Sequence, residues 1–202
     1  MGFILLAILK FIGALLVFPI VYASAVTFYH HLGVYPESFQ EYFFWGALSF
    51  LLTYLFFYKY GSAYELSQRI NTGLFKILAP FDKFFAYLFP IYFFIVLIAY
   101  VVVTQFFHCD DYSAYLIFFM GFFLAFHLIL VAQQMQEEEA AIVKPSYLLI
   151  MSIVVVVILL LSVLFFDLIL QKTSFNEYFS GVYSISEDIY RTVFNKAMSY
   201  RK

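Results

Sequence analysis

The chain has 202 residues, of which 65% are hydrophobic, 24% aromatic and 12% charged, with a formal net charge of −2; its mean hydropathy is +0.92. That is more apolar surface than a soluble fold of this length can hide, so the chain reads as an all-α integral membrane protein whose first partner is the lipid bilayer. No basic cluster is present, which argues against nucleic acid, and a lone cysteine, Cys109, excludes an intramolecular disulfide.

In chain order, the first apolar run holds Lys10 near one end, where it can snorkel to the headgroups, and leaves a spanning helix over 11–30 with a kink at Pro19. Ala23-Ser24-Ala25 resembles a signal-peptide cleavage site, but apolar residues precede the cation, and the segment is read as a retained helix. The next loop contains Gly33 and Pro36 and carries Glu37 and Glu41 with no Lys or Arg. A second span over 42–58 is framed by Trp45 and by Tyr58 with Lys59, residue types that anchor helices at the bilayer interface.

The stretch 59–90 is the one long polar interruption, and 4 of the chain's 11 basic residues lie in it: Lys59, Arg69, Lys76 and Lys83. Over 62–80, and on to Phe81, the apolar residues fall at helical spacing, with Leu66, Ile70, Leu74 and Phe81 on one side and Glu65, Gln68, Arg69, Thr72 and Lys76 on the other. This pattern predicts an interfacial amphipathic helix, supported by the Glu65/Arg69 spacing and ended or kinked at Pro80. Its apolar side is a candidate surface for docking on lipid or on a partner.

A third span is predicted over 87–107, and the very short loop His108-Cys109-Asp110-Asp111 turns a fourth span, 112–133, back as its antiparallel neighbour. An acidic loop with Glu137, Glu138 and Glu139 follows, read as solvated. The fifth span covers 147–170; its β-branched run 153–158 resembles a strand, but about 20 apolar residues are what a helix needs to cross the hydrocarbon, and this segment supplies them. Residues 1–170 thus form one transmembrane helical domain with about five spans. The tail 171–202 carries a second amphipathic helix, started by Ser186 with Glu187 and Asp188, whose Tyr190 and Phe194 would dock on lipid or on another protein.

Counting cations loop by loop places the segment after the second span in the cytoplasm, the amino terminus with it, and the loops around 31–41 and 108–111 outside. Five spans then put the tail outside, against its own Lys172, Arg191, Lys196, Arg201 and Lys202. Either a sixth crossing is hidden or those charges come too late to matter.

Ionisable groups inside the spans are few, and each is a functional candidate by default. Lys10 and Asp167 lie near helix ends, where snorkelling accounts for them. His127 lies deep in the fourth span; a neutral histidine bonded to a backbone carbonyl or a neighbouring helix stands against a ligand or proton-relay role. On the assigned topology His30, His31, His108, Cys109, Asp110 and Asp111 emerge on one face. These residue types can hold a divalent metal, although their spacing matches no ligand motif and solvated interfacial residues explain them equally. No cofactor is implied.

The order of landmarks, Leu66-Ser67-Gln68-Arg69-Ile70-Asn71-Thr72-Gly73-Leu74, then Leu78-Ala79-Pro80, Tyr87-Leu88-Phe89-Pro90 and Gly121 through Ala125-Phe126-His127-Leu128, resembles small bacterial membrane zinc peptidases of the site-2 protease type over about residues 40–170. The resemblance implies a bacterial inner-membrane location. The H-E-x-x-H motif of that group binds zinc through two histidines one helical turn apart and uses the glutamate to activate water. Here Gln68, Arg69 and Thr72 take those places and can supply neither ligands nor a base, which implies a degenerate, non-catalytic member.

Three functions are therefore carried forward. The first is a non-catalytic membrane subunit or pseudoprotease that scaffolds or docks other membrane subunits. The second is a small transporter, channel or proton-handling protein using His127. The third is a metal-dependent enzyme with an external site.

Overall fold

The computed structural model describes residues 2–57, 61–78, 85, 87–107, 113–138, 145–170 and 174–199. Every described element is helical: α1 (Gly2–Leu32), α2 (Glu37–Phe57), α3 (Gly61–Phe75) with a 3₁₀ turn at Lys76–Leu78, α4 (Ile91–Phe107), α5 (Ser113–Glu138), α6 (Pro145–Leu170) and α7 (Phe175–Ser199). The stretches Leu5–Leu32, Ala114–Gln136 and Pro145–Leu170 are long and apolar enough to cross a membrane, and Ile91–Val103 is a shorter apolar helix. The β-branched run 153–158 is helix, because in hydrocarbon only a helix satisfies its backbone within one segment.

The chain forms two compact units, one of Met1–Val34 with Glu139–Lys202 and one of Tyr35–Glu138. Helix α7 is grouped with α1 and α6 in the first unit.

In the first unit α1 and α6 run parallel. Lys10 Nζ donates to Ser146 Oγ at 2.8 Å, Gly13 faces Leu149, and Phe28 stacks on Phe166 with ring centroids 6.4 Å apart. Ala23, Val154, Ile158 and Val163 are buried in this unit's core. Helix α7 then returns antiparallel along α1, with Ser174 level with His31, Gly181 against Thr27, and Tyr190 donating its hydroxyl to the Leu16 carbonyl. Leu16 lies within one turn of Pro19, which is accommodated inside the continuous helix α1.

In the second unit α2 and α5 run parallel and touch backbone to backbone through a reciprocal pair of glycines. A Cβ on Gly46 would lie 2.8 Å from the Phe118 carbonyl carbon and 3.0 Å from the Phe122 nitrogen; one on Gly121 would lie 3.0 Å from the Phe43 carbonyl carbon. Beyond the crossing, Phe50 packs edge-on to Phe122 and Phe126 at 5.2 and 5.5 Å, and Tyr54 reaches Gln133 at 3.3 Å. Helix α4 is antiparallel to α5, its Tyr92 ring meeting Phe123 and Phe126 at 5.5 and 5.2 Å.

Several expected bounds move for local reasons. The third span begins at Ile91 and not at 87: Pro90 holds Phe89 out of helical geometry, and its own carbonyl accepts from Phe93 N–H at 2.9 Å. The second starts at Glu37, whose carboxylate in the first turn suits the positive end of the helix dipole. Helix α3 keeps its amphipathic pattern, but Leu66, Ile70 and Leu74 are all exposed; Phe81 lies outside the described residues.

The tail helix corrects the expected start at Ser186. It begins at Phe175, capped by Ser174, and Ser186 lies buried in mid-helix with its hydroxyl bonded to the Val182 carbonyl at 2.6 Å. Serine followed by acids signals a helix start only where its hydroxyl is free to turn back to the first N–H groups. Here the preceding carbonyl takes it.

Candidate functional site

Three polar side chains, each about 6% exposed, meet where the ends of α1 and α6 face the start of α7: His31, Asp167 and Ser174. Ser174 is the N-cap of α7, its carbonyl accepting from Tyr178 N–H at 3.1 Å. The Ser174 hydroxyl donates to Asp167 Oδ1, and the second carboxylate oxygen accepts from Phe175 N–H at 2.7 Å. His31 Nε2 lies 2.9 Å from Ser174 Oγ. Because the serine's one proton goes to Asp167, His31 must be the donor in that contact, with its proton on Nε2.

That order decides the chemistry. A nucleophilic triad places histidine between serine and carboxylate, with an unprotonated nitrogen turned to the hydroxyl. Here serine stands between the other two and histidine donates, so the arrangement is a clasp that joins three helix ends rather than an activated hydroxyl. Its aromatic neighbour is Tyr178, whose ring lies edge-on to His31 at 5.8 Å and whose hydroxyl makes a long 3.4 Å contact with the Ser24 carbonyl. Along the same α1–α7 contact Ser24 Oγ and Thr27 Oγ1 are buried with no hydrogen-bond partner among the described residues.

In the second unit His127 is 3% exposed, and its Nε2 donates to the Tyr87 carbonyl at 2.8 Å. Tyr87 lies three residues before Pro90, and its carbonyl takes the imidazole N–H, the carbonyl-bonded arrangement weighed for His127 in the sequence.

The remaining candidates lie apart. Thr72 donates its hydroxyl to the Gln68 carbonyl on the same helix, and Arg69 faces Glu65 at 4.0 Å with both side chains largely exposed. His30 is exposed while His31 is committed to the clasp. His108, Cys109, Asp110 and Asp111 lie outside the described residues. Among the described residues no three His, Cys, Asp or Glu side chains are grouped so that they could hold a metal ion. Tyr190 and Phe194 are on α7, Tyr190 against α1 and Phe194 exposed.

Sequence reasoning singled out Asp167 and His31 separately and missed Ser174, which joins them. The signal was present: Ser174-Phe175-Asn176-Glu177 has the S-x-x-E form of a helix start. Gly46 was missed as well. A glycine in mid-span forfeits about 1 kcal/mol of helix propensity, so it marks a close approach of another backbone. The chain matches no family model, no curated protein and no solved structure.

Proposed function

We propose that the chain is a non-catalytic integral membrane subunit that docks other membrane proteins, a degenerate relative of the site-2 protease type seated in a bacterial inner membrane. One observation supports this above the others: the buried side chains best suited to chemistry, His31, His127, Asp167 and Ser174, are already committed to bonds that hold helices together. A serine nucleophile needs its hydroxyl proton turned to a base nitrogen, and here the Ser174 proton is given to Asp167 while the Nε2 protons of His31 and His127 are each given to an oxygen.

The proposed spans are α1, α2, α4, α5 and α6, with the amino terminus cytoplasmic and α3 on the cytoplasmic surface. Five alternating crossings make α1 parallel to α6, α2 parallel to α5 and α4 antiparallel to α5, which agrees with the contacts inside each unit. The test is purification in a gentle detergent with identification of co-purifying chains. Other membrane subunits in fixed ratio are the expected outcome; a monodisperse lone chain counts against the docking role.

A further inference from the structure

Helix α7 is too polar to have been read as a span, yet its neighbours fix its depth. Parallel α1 and α6 coincide from Lys10 and Ser146 at one end to Phe28 and Phe166 at the other. Those limits enclose about 20 residues of each helix, which is the hydrocarbon thickness. Helix α7 follows α1 through the same layer in reverse, from Ser174 at His31, past Gly181 at Thr27, to Tyr190 at Leu16. The contact is made by small and hydroxyl residues, as membrane helix interfaces are, and a Cβ on Gly181 would meet Thr27 Cγ2 at 2.8 Å.

This path puts charge in mid-bilayer. Ile20, near the middle of α1, shares a groove with Glu187 and Arg191, which pair at 2.7 Å on the outward side of α7. Asp188 beside them is exposed and has no ion-pair partner among the described residues. The stripe therefore holds two carboxylates and one guanidinium at a depth where an uncompensated charge costs about 2.5–3.5 kcal/mol. Apolar side chains flank it, with Phe179, Tyr183, Val193 and Phe194 all exposed. Lipid tails cannot solvate Asp188. A second copy would bring the same excess of negative charge against it.

We propose that α7 is a sixth crossing, antiparallel to α1, and that its outward stripe at Glu187, Asp188 and Arg191 is an intramembrane docking surface for a transmembrane helix of another protein bearing a basic side chain at that depth. The surface deepens the docking role proposed above and rests on it. On this topology Lys196 lies at the cytoplasmic end of α7, as the positive-inside asymmetry favours.

Two measurements on the full chain test the proposal. Reporters fused after Arg69 and after Lys202 should read the same side of the membrane; opposite sides overturn the crossing. In phosphatidylcholine vesicles, energy transfer should show a leucine-rich transmembrane peptide with one central arginine associating about threefold to tenfold more strongly than the same peptide with leucine there. Asp188→Asn, with the helical circular dichroism unchanged, should abolish that preference. Equal association of the two peptides, or self-association of the protein through α7 in their place, overturns the docking surface. The docking role itself is decided separately, by co-purification.

Discussion

The two units hold helices together in opposite ways. In the second, Tyr35–Glu138, helices α2 and α5 approach until backbones touch at Gly46 and Gly121, and rings such as Phe50, Phe122 and Phe126 fill the space beyond. In the first, α1 and α6 meet apolar face to apolar face, but α7 is held by polar bonds at Ser174, Tyr178 and Tyr190. The contrast teaches what each contact can tolerate. Lipid offers apolar surfaces no driving force to leave it, so close steric fit must supply the attraction in one unit and hydrogen bonding in the other. A steric crossing fails on added volume; a polar clasp fails on a lost partner.

The sharpest way to break the comparison is to add volume at the crossing. Gly46→Val, and to a smaller degree Gly121→Ala, should reduce recovery of folded protein and lower the thermal midpoint in detergent by more than overpacking usually does, about 1–3 kcal/mol, because the atoms struck are backbone and cannot rotate away. Gly73→Ala is the control. Nothing lies near a Cβ there, so helix propensity should make it neutral or stabilising by about 1 kcal/mol. Equal losses at Gly46 and Gly73 would remove the crossing from the account.

Next in size is the removal of a partner. Asp167→Ala strands the Ser174 hydroxyl and the Phe175 N–H in a buried place, at about 1–3 kcal/mol for each group left unpaired. Hydrogen exchange should then rise in the first turns of α7 while amides around the Gly46 crossing keep their protection. Loss of protection in both regions together would mean that the units do not melt as separate bodies.

The smallest effect carries the most diagnostic sign. Thr27→Val replaces a buried hydroxyl that has no partner among the described residues with a methyl group of similar shape, so it should be neutral or raise the thermal midpoint slightly. A clear destabilisation would show that Thr27 Oγ1 has a partner, such as an ordered water, in the α1–α7 contact.

How much of this was legible follows from which forces act locally. The membrane class, the helical nature of α1, α5 and α6 and the amphipathic pattern of α3 depend on composition and on periodicity along one segment, and both are written in the chain. Reading α6 as helix despite its β-branched run 153–158 needed only its length and the demand that a lipid-buried backbone satisfy itself. The displaced starts at Glu37 and Ile91 were local too, and Pro36, Glu37 and Pro90 were there to be weighed.

What tertiary structure alone decided is where polar groups find their partners. Hydropathy counts Ser174, Asp167 and His31 as three unrelated polar residues, and nothing in their spacing says that the end of α1 lies beside the start of α7. By the same count α7 is too polar to enter a membrane, because hydropathy averages over the whole circumference of a helix. Its depth is set by one face, and that face is defined only once α1 lies against it, with Gly181 at Thr27 and Tyr190 at the Leu16 carbonyl. Segments declare their own solvent preference in sequence; the satisfaction of a buried hydrogen bond depends on two segments, and it exists only when both are in place.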